Sequence, residues 1–160
     1  MPEFFICNRA QVKQRVKSLG ATHLLTLLDP ARPMWKPSVI PPENWLWLRF
    51  QDQESRQDYQ APAREHAEQI LAWGKNLPAH AQVLVHCEAG ISRSTASALA
   101  LWVQARGSMQ GARAWIDQER PVACPNMLLA EFFDNLLDLQ GEFIALCDDI
   151  GSTNIKRLLL

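Results

Sequence analysis

At 160 residues the chain has the length of one ordinary domain, since a single core organises about 100–150 residues. Apolar types (AVILMFWYC) make up 48% and charged types 21%, and 17 acidic against 16 basic side chains leave a formal charge of −1. This balance excludes a disordered or collagen-like chain, and it supplies no cationic surplus for a non-specific nucleic-acid groove.

The first predicted element is a short strand over Phe4 to Cys7. Asn8 then caps a helix with Gln11 at capping-box spacing, Val12, Val16 and Leu19 form its apolar stripe, and Gly20 ends it. His23 to Leu28 reads as a buried strand. Five prolines (Pro30, Pro33, Pro37, Pro41, Pro42) then impose a long surface loop, because proline suits neither a helix interior nor a central strand. Trp45 to Phe50 alternates as a third strand, and the polar run Gln51 to Gln60 is a loop. Ala63, Ala67, Ile70, Leu71 and Gly74 line one face of a helix between Pro62 and Pro78. Val83 to Val85 has the continuous apolar character of a parallel strand buried on both faces.

From Ser92 to Arg106 the pattern is apolar nearly all round, which predicts a central helix ended by Gly107. Two helices follow, about Gln110 to Gln118 and Asn126 to Leu139, the second expected to run past Gly141 toward Cys147. The tail 148–160 is ambiguous. Strands alternating with helices predict an α/β fold. It is a single domain over residues 1–160 with a short, mostly parallel central sheet and helices on both faces.

The longest apolar runs, such as 98–103, fall far below the roughly 20 residues that cross a bilayer, so no membrane association is expected. The opening MPEFFICNRAQ lacks the basic and apolar regions of a secretory signal. Cys7, Cys87, Cys124 and Cys147 are scattered, without the spacing of a disulfide framework or a zinc site. Free thiols in a reducing cytoplasm, with no metal or other cofactor, are the expectation. His86 beside Cys87 lacks the second ligand pair that a metal site needs.

Val83 to Ser94 runs from a buried strand through a tight loop into the apolar helix, and this is where the chemistry concentrates. The first N–H groups of a helix lack intrahelical partners and lie at the positive end of its dipole, so such a turn holds an anion. Gly90 lets the backbone of Glu88, Ala89, Gly90, Ile91 and Ser92 curl with its amides inward. Arg93 adds a planar fork matched to two phosphate oxygens. Cys87 stands where the cradle begins, and helix N-termini and neighbouring cations favour the nucleophilic thiolate. The Ser94 hydroxyl is placed to donate to that sulfur.

His86-Cys87, five residues, then Arg93-Ser94 resembles the signature of the cysteine-dependent protein tyrosine phosphatases. The match is closest to the dual-specificity branch. VLVHCEAGISRSTA, and then Ala114-Trp115-Ile116 through Arg120-Pro121-Val122 to Pro125-Asn126, carry the resemblance over about Trp45 to Leu139. It implies a protein tyrosine phosphatase-like fold, attack of Cys87 on phosphorus and a phosphocysteine intermediate hydrolysed by water, with no metal. It also implies an aspartic acid, on a loop after an earlier strand, that protonates the leaving oxygen. Asp52 fits; Asp58 competes, but a residue near a strand end is held more firmly than one deep in a polar loop. Asp58 suits better the bland role of capping the helix near Pro62.

Among supporting residues, His86 is expected to shape the loop from a buried strand end. Asn126 either hydrogen-bonds near the site or caps the last helix. Cys124 lies in a loop that, by the resemblance, comes near the phosphate site, which makes an oxidative link to Cys87 conceivable. Cys7 and Cys147 read as packing, and Trp35 as a residue of the pocket rim or of simple packing. Glu88, with no basic residue beside it in the loop, argues against a highly phosphorylated inositol ring, so the expected partner is a phosphorylated protein or peptide. Two other classes share the motif. Against a phosphate-binding pseudophosphatase stand Cys87, Arg93, Ser94 and Asp52, all present. Against a sulfur-transfer or arsenate-reducing enzyme stand the upstream acid and the lack of further reactive thiols.

Overall fold

Short, mostly continuous apolar runs build four strands whose two faces are covered by different partners. In the computed structural model, which describes residues 1–159, these are β1 (Glu3–Cys7), β2 (His23–Leu28), β3 (Trp45–Arg49) and β4 (Gln82–His86). They form one all-parallel sheet in the order β1-β4-β2-β3. Phe4, Ile6, Leu25, Leu27, Val83 and Val85 point to one face and join the main core. Cys7, Leu24 and Leu84 point to the other and pack with Val12, Val16 and Ile40.

Six helices complete the α/β fold: α1 (Val12–Leu19), α2 (Arg64–Lys75), α3 (Arg93–Arg106), α4 (Ala112–Glu119), α5 (Met127–Leu136) and α6 (Glu142–Leu159). The Asn8 and Gln11 capping box is present, with Asn8 Oδ1 accepting from Gln11 N and Gln11 Oε1 from Asn8 N. Buried from Arg93 to Val103, α3 packs on β1 and β4 and on α2, α4 and α5. A parallel strand leading straight into this enclosed helix fixes the turn between them at the C-terminal edge of the sheet, where open α/β folds place their ligands.

The predicted helix running on from 126 past Gly141 is in fact two. After Leu136 the backbone turns left-handed at Asp138, Gln140 and Gly141 (φ +53°, +53° and +91°). The buried Asp134 side chain takes the place of a continued helix: its Oδ1 accepts from Gly141 N and its Oδ2 from Phe143 N and Ile144 N. Those are the unpaired donors of a new helix start. Phe143, Cys147 and Ile150 then fall on a buried stripe of α6, and the ambiguous tail is helical through Leu159. Among the described residues no helix is long and apolar enough to cross a membrane.

Candidate active site

The loop from Cys87 to Ser92 has every one of its six carbonyls turned outward and bonded. Cys87 O accepts from His86 Nδ1 (3.1 Å) and Glu88 O from Arg9 N (3.0 Å). Ala89 O and Gly90 O accept from Arg120 Nη2 (3.2 Å) and Nε (2.7 Å). Ile91 O and Ser92 O accept from Cys124 N (2.9 Å) and Asn126 N (3.1 Å). In a trans peptide the N–H points opposite to the C=O, so carbonyls held outward turn the loop amides toward its hollow. Gly90 stands at φ +67°, and a Cβ there would lie 2.6 Å from the Cys7 carbonyl carbon and oxygen. Only glycine fits without moving backbone.

Cys87, 2% exposed, sits at the origin of this loop. Its sulfur receives the Gly90 N–H at 3.3 Å and lies 3.1 Å from Ser94 Oγ. Arg93, 3% exposed, is anchored through Nη1 alone, which donates to Phe50 O (2.6 Å) and Asp29 Oδ1 (2.8 Å). Nη1 is at the far end of the guanidinium from the Nε–Nη2 edge, so the edge that grips an oxyanion bidentately is left open. Nε is buried with no protein partner, an orphan donor of a kind native structures seldom keep.

Asp52 lies across the same opening. Its Oδ1 accepts from Ser92 Oγ (2.7 Å) and from Asn126 Nδ2 (2.9 Å), leaving Oδ2 free. Asn126 fills both roles read for it, since its Oδ1 also accepts from Leu129 N and caps α5. That pair of bonds assigns the amide orientation. Asn126 Nδ2 also reaches Gln53 O, and Glu54 Oε1 accepts from Met127 N, so residues 52–54 are docked on the start of α5. Asp58, exposed, has its backbone N–H on Ser55 O within the polar loop and is outside the cavity lining.

His86 is wholly buried. Because Cys87 O can only accept, His86 Nδ1 carries a proton; Nε2 then accepts from Thr26 Oγ1 (2.9 Å), which in turn accepts from Trp45 Nε1 (2.9 Å). Burial pushes His86 down to about 4, so this chain holds a neutral ring. At the rim, Arg32 grips Glu88 through two bonds (3.0 and 2.8 Å), and this hydrogen bonding holds the Glu88 carboxyl below the usual carboxylate range.

A cavity of about 430 Å³ opens over the loop, lined by Asp29, Arg32, Gln51, Asp52, Gln53, Glu88 and Arg93. Three carboxylates face two guanidiniums there, so the cavity carries no cationic surplus. Trp35 is not at this rim. It packs by Met34 and α1, with Lys13 Nζ 5.8 Å over its ring. Cys124 presents its backbone to the loop but its sulfur to α6, 3.3 Å from where a Gly151 Cβ would sit. Burial raises the thiols of Cys7 (to about 12), Cys124 and Cys147, which keeps all three protonated. Among the described residues no cluster of three His, Cys, Asp or Glu groups could hold a metal ion.

The sequence reading gave Arg9, Asp29, Arg32, Arg120 and Thr26 no role. Arg120 was visible only as part of a motif string, and the others lack any local signature.

The chain matches no protein-family model, and no curated protein is detectably similar in sequence. Solved structures nevertheless share its architecture. Human DUSP28 is 22% identical, with 89% of this chain and 96% of that one covered at a TM-score of 0.66. DUSP15 is 19% identical, covering 95% and 92% at 0.64. The human tyrosine phosphatase-like serine/threonine/tyrosine-interacting protein is 20% identical, covering 86% and 92% at 0.59. The α/β fold is therefore that of the dual-specificity branch of the cysteine-dependent tyrosine phosphatases. At this identity the likeness defines the fold, and the third name belongs to a protein described as phosphatase-like. What the chain does rests on its own side chains.

Proposed function

We propose that this chain is a phosphomonoester hydrolase of phosphoproteins, acting on phosphotyrosine, and on phosphoserine and phosphothreonine as further substrates, through a phosphocysteine intermediate. The observation that carries the reading is the loop that begins at Cys87, with six outward carbonyls, the Gly90 amide on the Cys87 sulfur, and an Arg93 Nε that no protein group partners. A thiol used for packing needs no such surroundings.

In this reading the Cys87 thiolate, held by Ser94 Oγ and Gly90 N–H, attacks phosphorus in line with the ester oxygen. The inward amides of Glu88 to Ser92 and the Nε–Nη2 edge of Arg93 take the charge of the three equatorial oxygens. Asp52 gives the proton on Oδ2 to the leaving oxygen, its Oδ1 being fixed by Ser92 and Asn126. Water then attacks the phosphocysteine with Asp52 as base, and sulfur departs toward Ser94. No residue of the site calls for a metal or another cofactor. The four cysteines are free thiols, as suits a cytoplasmic enzyme, and nothing in the cavity favours nucleic acid or a membrane as partner. With three carboxylates at its mouth, the cavity suits a single phosphate on a peptide better than a polyphosphorylated ring.

Hydrolysis of a small aryl phosphate tests the reading. Cys87→Ser is expected to abolish turnover, and retained turnover would reject Cys87 as nucleophile. Asp52→Ala is expected to lose about 10²–10⁴-fold on substrates with poor leaving groups and far less on activated ones. Equal losses would reject Asp52 as the acid.

A further inference from the structure

Arg93 makes both of its protein hydrogen bonds through one nitrogen, and one of the two acceptors is a carboxylate outside the phosphate loop. Asp29 is the first residue after β2, and its Oδ1 lies 2.8 Å from Arg93 Nη1. The Arg93 side chain is almost fully buried, whereas that of Asp29 is 52% exposed and lines the cavity. An exposed carboxylate brought onto a buried guanidinium has a geometric consequence. Two acceptors converging on Nη1, Phe50 O from the end of β3 and Asp29 from the end of β2, fix the plane of the fork as well as its position. A single acceptor would leave the plane free to turn about that bond. With the plane fixed, Nε and Nη2 stay turned from these acceptors and open to a ligand, and Nε has no other partner.

We propose that Asp29 is a positioning residue for oxyanion binding: by accepting from Arg93 Nη1 it holds the Nε–Nη2 edge in the orientation that grips the transferring phosphoryl group. The proposal rests on the phosphatase reading above and adds to it a residue that touches neither the sulfur nor the leaving oxygen. The acceptor oxygen, more than the negative charge, performs the task, because a phosphate dianion arriving beside Asp29 gains nothing from a second anion. The Asn side chain keeps that oxygen, and the Ala side chain removes it.

The test compares Asp29→Ala and Asp29→Asn with wild type in aryl phosphate hydrolysis, in vanadate inhibition and in thermal melting. Because Phe50 O still anchors Nη1, Asp29→Ala is expected to lower kcat/KM about tenfold and weaken vanadate by a similar factor. Asp29→Asn is expected to recover most of both, and the melting temperature of each is expected to stay near wild type. A purely structural role would move melting and leave vanadate affinity alone. Wild-type behaviour of Asp29→Ala overturns the proposal, as does an Asp29→Asn variant impaired as deeply as Asp29→Ala. Calorimetric binding of tungstate to the Cys87→Ser protein, with and without Asp29→Ala, separates this from the wider reading, since it needs no turnover. Weaker tungstate binding in the double variant supports the role of Asp29 even if wild type fails to hydrolyse the ester. Equal binding in the two, or none in either, overturns it.

Discussion

Replacing Gly90 by alanine strikes the cradle at its tightest point. The new Cβ would sit 2.6 Å from the Cys7 carbonyl carbon and oxygen and 2.8 Å from Asn8 N. These are backbone atoms that cannot swing aside, and ordinary contact requires nearly 1 Å more. At φ +67° the alanine also stands in the left-handed region, at about 1–2 kcal/mol. Relieving the contact adds about 1–3 kcal/mol, as overpacking does elsewhere. The expected loss is thus about 2–5 kcal/mol, or roughly 4–20 °C in melting temperature for a domain of this size. Relief by shifting the loop draws the Gly90 amide away from the Cys87 sulfur, and losing one such oriented donor slows turnover by about 10²–10³-fold. Thermal melting, aryl phosphate turnover and vanadate inhibition, measured on one preparation, read all three effects. A Gly90→Ala protein that melts within 1–2 °C of wild type (about 0.5 kcal/mol) and keeps its vanadate affinity would refute the claim that this loop must approach β1 so closely.

The two duties of Asn126 can be separated. Asn126→Ala removes both the α5 cap and the bond to Asp52, whereas Asn126→Ser keeps a capping oxygen too short to reach Asp52. Both are expected to lose rate on poor leaving groups, with Asn126→Ser melting higher by the equivalent of about 1 kcal/mol; identical melting curves would deny the cap its share. His86 makes stability depend on acid. Its folded value of about 4 lies below the ordinary 6.5, so as pH falls the unfolded chain takes up this proton before the folded one does. Its contribution is complete above about pH 6.5 and is lost progressively toward pH 4, by about 2–3 kcal/mol at pH 4.5. Urea unfolding at pH 7 and 4.5 should show that much less acid sensitivity in His86→Asn than in wild type, and equal sensitivity would contradict the burial argument.

The strands and the loop from Cys87 to Ser92 were legible because their information is local. The apolar runs in residues 4–7 and 23–28, the alternation in residues 45–50 and the apolar run before His86 need no distant partner to be read. Cys87, Gly90, Arg93 and Ser94 fall within one strand–turn–helix unit, where spacing along the chain becomes spacing in space. Asp52 was legible more weakly, as a carboxylate near a strand end; what holds it are Ser92 and Asn126, on segments much later in the chain. The single long helix expected after Asn126 failed because its apolar stripe continues across the break. The deciding feature is the Asp134 carboxylate reaching three amides beyond the turn.

By itself, then, the sequence determined where a cysteine, a glycine-bearing turn into a helix and a guanidinium occur together. The folded chain decided which way they face. Arg120, Arg9 and the Cys124 backbone turn the loop carbonyls outward, and Asp29 with Phe50 aims Arg93, through contacts between residues far apart along the chain. Peptide orientation and the plane of a guanidinium are set by whichever acceptors and donors packing brings up. No pattern of neighbouring residue types records that choice.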